Sequence, residues 1–355
     1  MSIEITRRCP LSCPGCYAYG VNHLRASGSL ARLSELEGTQ LVEGVLSLVD
    51  LHRPLHLSIV GGEPLIRQHE ITRLLPELNR RSIHTQIVTS AFQPIPIEWR
   101  HRDRLNLVVS IDGLPEEHDR RRAPATYERI LRNIRGHDVT VHCTVTRQMT
   151  RRSGYLREFA DFWTKQPETR KIWMSLYTPQ AGETSPEILR PHERSRVIGE
   201  LSILKDVFPK LELPDGLLQA YKHPPSDPAR CTFALTTQTV SADLRTAVTP
   251  CQIGGTPDCR QCGCIAAAAM EAVSRHRLAI GVRAGTIFGI SRALGLRLKA
   301  IRDGRRTVSG QRWEGAIPAA QLHCERDRIV HERMRPQMRP HPRGQFEQDA
   351  PKMRA

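Results

Sequence analysis

Six short apolar runs, at residues 2–6, 55–60, 84–89, 105–111, 139–145 and 172–177, alternate with longer segments of helical spacing. This alternation constrains the fold more than any other feature of the chain. Residues 34–51, 68–81, 126–135 and 154–163 form the longer segments; in the first, Leu41, Val42, Val45, Leu46 and Val49 recur at the spacing of one helix face. Strands joined by helices form a parallel sheet, because a parallel pair needs a crossover and the crossover is right-handed. Six such units are too few for a closed eightfold barrel. Ligands of parallel α/β sheets bind beyond the carboxyl ends of the strands, so the residues just past each run are where chemistry is expected.

Past the first run lies Cys9-Pro10-Leu11-Ser12-Cys13-Pro14-Gly15-Cys16, a CxxxCxxC followed at once by Tyr17. Three thiols so close together grip one face of a compact iron–sulfur cluster. Such clusters usually take four thiolates, so three leave one iron open. A zinc knuckle is the alternative, but zinc takes four closed ligands and only His23 stands near enough to complete the set. Past the second run lies Gly61-Gly62-Glu63-Pro64-Leu65, where glycines allow close approach of backbone to a ligand. Past the fourth lies Ser110-Ile111-Asp112-Gly113, then Glu117, His118 and Asp119. Plain turns at 61–62 and 112–113 are the alternatives there.

In this order and spacing, the three motifs resemble the radical S-adenosylmethionine (radical SAM) superfamily over about residues 1–180. The resemblance implies an enzyme with a partial (β/α)6, TIM-like barrel. Cys9, Cys13 and Cys16 would hold a catalytic [4Fe–4S] cluster, with S-adenosylmethionine chelated to the open iron. Gly61, Gly62 and Glu63 would accept from its methionyl ammonium, and Ser110 and Asp112 would lie near its ribose. Reductive cleavage to a 5′-deoxyadenosyl radical would follow, with electrons from a small donor such as flavodoxin or ferredoxin. The chain departs from the family in having Gly15, not an aromatic, before the third cysteine. Tyr17 is the candidate to cover the adenine side or to pack in the barrel mouth. The fifth run lacks the family's glycine-bearing adenine motif, and its Cys143 is expected to be a small core residue.

A second set, Cys231, Cys251, Cys259, Cys262 and Cys264, stands among glycines and prolines that permit tight turns. It resembles the auxiliary-cluster regions of the SPASM and twitch branches, without their usual spacing. Five cysteines are too few for two fully ligated cubanes, so one auxiliary [4Fe–4S] cluster on four of them is expected, with structural zinc as the rival. The expected organisation is a barrel domain at 1–200, a Cys-rich auxiliary region at 201–275, a basic amphipathic segment at 276–303 and a disordered tail at 304–355 holding Cys324. Residues 265–303 are expected to be helical throughout.

Composition narrows the setting. Ten cysteines without an export signal point to metal ligation in a reducing cytoplasm rather than to disulfides. No apolar run approaches the ~20 residues needed to span a bilayer. The net charge is +15, but the basic residues are spread along the chain and aromatics make up only 5%, which argues against a nucleic-acid surface. The basic amphipathic segment admits peripheral membrane contact. The expected substrate is a peptide or small metabolite. Because the chain opens on the first strand, any domain that binds a peptide leader is expected in a separate protein. A hopanoid-lipid enzyme is the alternative, since that branch shares Cys13-Pro14-Gly15-Cys16, Gly61 to Leu65, Cys231-Thr232 and Pro250-Cys251. A non-catalytic iron–sulfur redox protein is the reading from another class.

Overall fold

The computed structural model describes residues 1–278 and 281–308. Seven parallel strands make one open sheet in the order β6-β5-β4-β3-β2-β1-β7. They are β1 (Ser2–Glu4), β2 (His56–Val60), β3 (His84–Thr89), β4 (Leu105–Ser110), β5 (Val139–Val145), β6 (Thr169–Leu176) and β7 (Thr239–Val240). The first six follow one another across the sheet, as a partial (β/α)6 barrel requires. The seventh, from the Cys-rich half of the chain, pairs with the outer edge of β1 through Ser2↔Thr239 and Ile3↔Val240.

The helices are α1 (Gly38–His52), α2 (Gln68–Arg80), α3 (Pro115–Arg122), α4 (Tyr127–Asn133), α5 (Tyr155–Lys165), α6 (Pro191–Val207), α7 (Asp215–Lys222), α8 (Thr232–Thr236), α9 (Ile265–Arg275) and α10 (Ala284–Val308). Helices α1, α2, α4 and α5 fall where the apolar spacing predicts them. Their buried stripes, including Leu41, Val45, Leu74, Leu78, Ile130, Phe159 and Trp163, share one core with Leu57, Ile59, Ile87, Leu107, Val109, Val141 and Val145 of the strands. Alternate strand positions carry polar side chains. The Thr140 hydroxyl donates to Asn106 Oδ1 at 2.9 Å, and Gln86 Nε2 donates to Ser58 Oγ at 3.3 Å. The sheet thus has one dry face against helices and one polar face toward the barrel interior.

Two expectations for the C-terminal part need correction. The helix expected over 265–303 is broken: α9 and α10 are separated at 276–283, where Arg277 and Arg283 form an antiparallel bridge. Gly281 in this connection has φ +76°, a left-handed conformation that a continuous helix does not take. Helix α10 also runs on to Val308, past the expected start of the tail at 304. The rest of that tail, with Cys324, lies outside the described residues. No helix among the described residues is long and apolar enough to cross a membrane.

Candidate functional site

The CxxxCxxC loop leaves β1 and is clamped at its base. The Thr6 hydroxyl and the Arg7 amide donate to Glu35 Oε2 at 2.6 and 2.8 Å, and Arg8 Nε pairs with Glu35 Oε1 at 2.9 Å. Buried Arg67 holds Glu35 and Glu37 from below, at 2.8 and 2.7 Å. The glycines past β2 serve this loop directly. The Gly62 amide donates to the Thr6 carbonyl and the Glu63 amide to the Arg8 carbonyl, each at 2.8 Å. A Cβ on Gly62 would lie 2.1 Å from the Arg8 oxygen, so only glycine permits this approach. The carbonyls of Gly61 and Gly62 accept no hydrogen bond among the described residues.

Cys9, Cys13 and Cys16 are all half-buried. The Cys9 thiol is pushed up to about 11, mainly by burial; Leu11 opposes the shift, and Glu63, Cys13 and Cys16 add to it. Burial also raises Cys13, with Arg122 opposing and Asp112 and Cys16 reinforcing. The three thiols therefore lie within electrostatic reach of one another. A bound metal would supply positive charge that favours the thiolate form of its ligands.

Glu63 is buried and fully occupied. Its Oε1 accepts from the Leu65 amide at 2.9 Å and from the Thr89 hydroxyl, and its Oε2 accepts from the Ser90 amide at 2.7 Å and the Ser90 hydroxyl. Four donors fill a carboxylate that the resemblance assigns to the cofactor ammonium. Its place is that of a brace between the ends of β2 and β3, and the free acceptors at this point are the Gly61 and Gly62 carbonyls.

Asp112, past β4, accepts from Arg122 Nε at 2.8 Å and Arg121 Nε at 3.4 Å. Burial raises its carboxyl, but the two guanidinium groups outweigh this and hold it at about 2. For Arg122, burial favours the neutral form, while Asp112, Cys13 and Cys16 outweigh it and hold the charge. The terminal amino groups of Arg122 make no hydrogen bond among the described residues. Arg121 donates to the Pro14 carbonyl at 3.1 Å and pairs with Glu187, tying the Cys13–Cys16 turn to the loop past β6. Ser110 is half-buried and its hydroxyl makes no hydrogen bond among the described residues, while across the sheet it registers with His142, which contacts Ser175 at 2.8 Å. Cys143 is buried in the core, as expected.

Tyr17 does not stand alone in the mouth. Its ring lies 5.6 Å from that of His23, and its hydroxyl is raised by burial first, then by Glu4, Cys16, Cys264 and Cys251. The charges of both cysteine sets reach its hydroxyl, although the residue as a whole is 41% exposed.

The second set does come together. Cys231, Cys251, Cys259, Cys262 and Cys264 line one pocket whose other walls are proline, Phe233, Ala234, Ile253 and Ala267. Burial, then the neighbouring thiols, pushes Cys251 up to about 12; burial, then Cys231, Asp227 and Asp258, pushes Cys259 up to about 11. Five thiols around an apolar space, with no competing charge in the lining, suit a sulfur-ligated metal group. The pocket is fixed to the barrel: the Gly263 amide donates to Thr178 Oγ1 at 2.8 Å, the Leu176 amide to the Gly263 carbonyl at 2.9 Å, and Arg194 to the Cys262 carbonyl at 2.7 Å. Among the described residues no three His, Cys, Asp or Glu side chains close on one point as a mononuclear site would. A separate cavity lined by Leu75, Ile83, Arg104 and Leu105 lies at the opposite ends of the strands and holds none of these groups.

The sequence reading misses Arg121, Arg122, Glu187 and His142, and names His23 only as a possible fourth zinc ligand. Arg121 and Arg122 had a signal, a run of three cations at 120–122 in the helix that follows Asp112; the partners of Glu187 and His23 lie far away in sequence and left none.

Residues 3–147 match the radical SAM superfamily. No curated protein sequence matches the chain. Among solved structures, SuiB of Streptococcus suis bound to the precursor peptide SuiA shares the fold with a TM-score of 0.52 at 16% identity, over 71% of this chain and 59% of that one. SuiB bound to S-adenosylmethionine aligns with a TM-score of 0.49 at 14% identity, over 70% and 57%. The chain thus spans less than two thirds of the length of these structures. The cysteine loop, the glycines past β2 and the acid past β4 all lie within residues 3–147, the stretch that matches the radical SAM superfamily.

Proposed function

We propose that this protein cleaves S-adenosylmethionine reductively at a [4Fe–4S] cluster held by Cys9, Cys13 and Cys16, and uses the resulting radical to modify a peptide or small metabolite. The observation that carries this reading is the convergence of three thiols, two free glycine carbonyls and one guanidinium with free donors at the carboxyl ends of β1, β2 and β4. When bound, the cluster and S-adenosylmethionine supply a 5′-deoxyadenosyl radical. The chain's own residues supply the rest. The Gly61 and Gly62 carbonyls accept from the methionyl ammonium, and Arg122, aimed by Asp112, takes the carboxylate. Glu63 holds the glycine turn in place from behind. Arg121 and Glu187 keep the Cys13–Cys16 turn against the loop past β6.

The Cys-rich pocket supports an auxiliary [4Fe–4S] cluster on four of its five thiols, since every member of the set reaches the same apolar space. A peptide substrate draws support from SuiB, which shares the fold and is bound to a precursor peptide in its structure. A lipid substrate draws support from α10, where Ile287, Ile290, Leu294 and Leu298 are exposed and recur at helical spacing, with exposed Arg292 and Arg297 beside them. Anaerobic reconstitution followed by reduction tests the central claim: methionine and 5′-deoxyadenosine should form in the parent and not in a Cys9/Cys13/Cys16→Ala variant. Equal product from both would overturn it. A cytoplasmic setting and a flavodoxin- or ferredoxin-type donor accompany this reading.

A further inference from the structure

His23 is one of the most deeply buried polar side chains in the protein, and each of its ring nitrogens faces an oxygen from a different part of the chain. Nε2 lies 2.6 Å from Glu4 Oε1 on β1, and Nδ1 lies 2.9 Å from the Ile253 carbonyl, two residues past Cys251. A carbonyl only accepts, so Nδ1 carries a hydrogen; Nε2 and the Glu4 carboxyl then share the other contact. The second oxygen of Glu4 accepts from the Ser241 hydroxyl, next to β7.

The backbone repeats the connection. The Gly255 amide donates to the His23 carbonyl at 3.0 Å, and the Gly254 amide closes a turn on the Cys251 carbonyl at 2.9 Å. That turn wraps the imidazole tightly. Gly254 has φ +70°, and a Cβ there would lie 2.2 Å from the His23 oxygen and 2.5 Å from Nδ1. On the other side, His23 closes the segment that begins at Cys16 and packs against Tyr17. One buried side chain therefore joins the loop of the first three cysteines, the first strand and the turn that carries Cys251.

We propose that His23 is a positioning residue that makes the two cysteine sites one mechanical unit, so that loading the Cys9/Cys13/Cys16 site fixes the Cys251 turn. The proposal rests on the first site holding a cluster, and extends that reading to how the second site is organised. Buried contacts of this kind are satisfied as a set or not at all, because a ring nitrogen or carboxylate stripped of its partner has no water to turn to.

The test is amide hydrogen exchange at residues 250–258, read by mass spectrometry on the reconstituted full-length chain and on its Cys9/Cys13/Cys16→Ala form. Each is made with His23, His23→Gln and His23→Phe. With His23, loss of the first cluster should speed exchange at 250–258 about tenfold. With His23→Phe, exchange there should be fast whether or not the cluster is present. His23→Gln, which keeps a donor for the Ile253 carbonyl, should retain the dependence. Exchange at 250–258 that ignores the first cluster in the parent, or that still follows it in His23→Phe, overturns the proposal. An equal rise over 155–165, remote in sequence and in the sheet, would signify general loosening and also overturn it. If the parent binds no iron at Cys9, Cys13 and Cys16, the functional reading fails at the iron count; unchanged exchange at both 9–24 and 250–258 in His23→Phe then overturns the bridge separately.

Discussion

The amide of Glu63 donates to the carbonyl of Arg8 at 2.8 Å, one residue before Cys9, so the acidic motif past β2 and the cysteine loop past β1 move as one piece. Gly62 makes this contact sterically available. Gly62→Ala would place a methyl 2.1 Å from the Arg8 oxygen, and the backbone has to yield. The expected result is a folded chain, by far-UV circular dichroism, that has lost the iron of the first site. Full iron retention would show that the loop tolerates the displacement.

Glu63→Gln tests the brace itself. The amide keeps the shape, but it has one accepting oxygen where the carboxylate uses two, and it loses the charge that strengthens all four hydrogen bonds. A loss of about 3 kcal/mol in denaturant unfolding is expected, along with weaker S-adenosylmethionine binding as the glycine turn relaxes. Unchanged stability would assign the carboxylate to the ligand instead.

Arg122→Met should leave the iron content intact and weaken S-adenosylmethionine binding by about tenfold to a hundredfold, the worth of one charge-assisted hydrogen bond pair. Equilibrium binding to the reconstituted chain measures it. Affinity equal to that of the parent would free Arg122 of any cofactor role.

Acid should destabilise the fold in two stages. His118 and His142 are lowered to about 4, mainly by burial, so the unfolded chain binds their protons first. Their contribution is complete above their ordinary value near 6.5 and is lost as pH falls from there to about 4. Asp112, held at about 2 against its ordinary 3.8, contributes about 2 kcal/mol that is lost only as pH falls further, from about 4 to 2. Thermal unfolding across pH 3–7 should show the first loss, and His142→Gln should flatten it. A slope that His142→Gln leaves untouched would remove that residue from the account.

Alanine substitutions taken one at a time through Cys231, Cys251, Cys259, Cys262 and Cys264, in a chain already lacking the first three cysteines, should each remove most of about four irons, with one exception. The exception is the spare thiol. Zinc in place of iron would reassign the pocket as a structural zinc site.

Much of the barrel was legible because its signal is local. The runs at 84–89 and 139–145 coincide with β3 and β5 to the residue, since β-branched alternation and burial on one face point the same way there. Helix α3 was not, because its sequence Pro115–Arg122 is almost wholly charged and only His118 is buried, so no apolar stripe marks it. The same helix carries Arg121 and Arg122, and the site's electrostatics escaped with it. Glu63 stands out by its motif, but its contacts with Thr89 and Ser90 do not, because these reach it only after the strands are placed side by side. The five late cysteines were legible as a set; their common pocket depends on Arg194 and Thr178, which nothing in the spacing announces.

The strand β7 adds an order in time. Ser2 and Ile3 are made before the other barrel strands, while their outer partners Thr239 and Val240 emerge only after all six barrel strands have been made. Until then the outer edge of β1 is an unpaired strand edge, and Cys9, Cys13 and Cys16 hang from it beside an open wall. The nascent chain therefore carries the 9–16 loop on an open side until β7 is made.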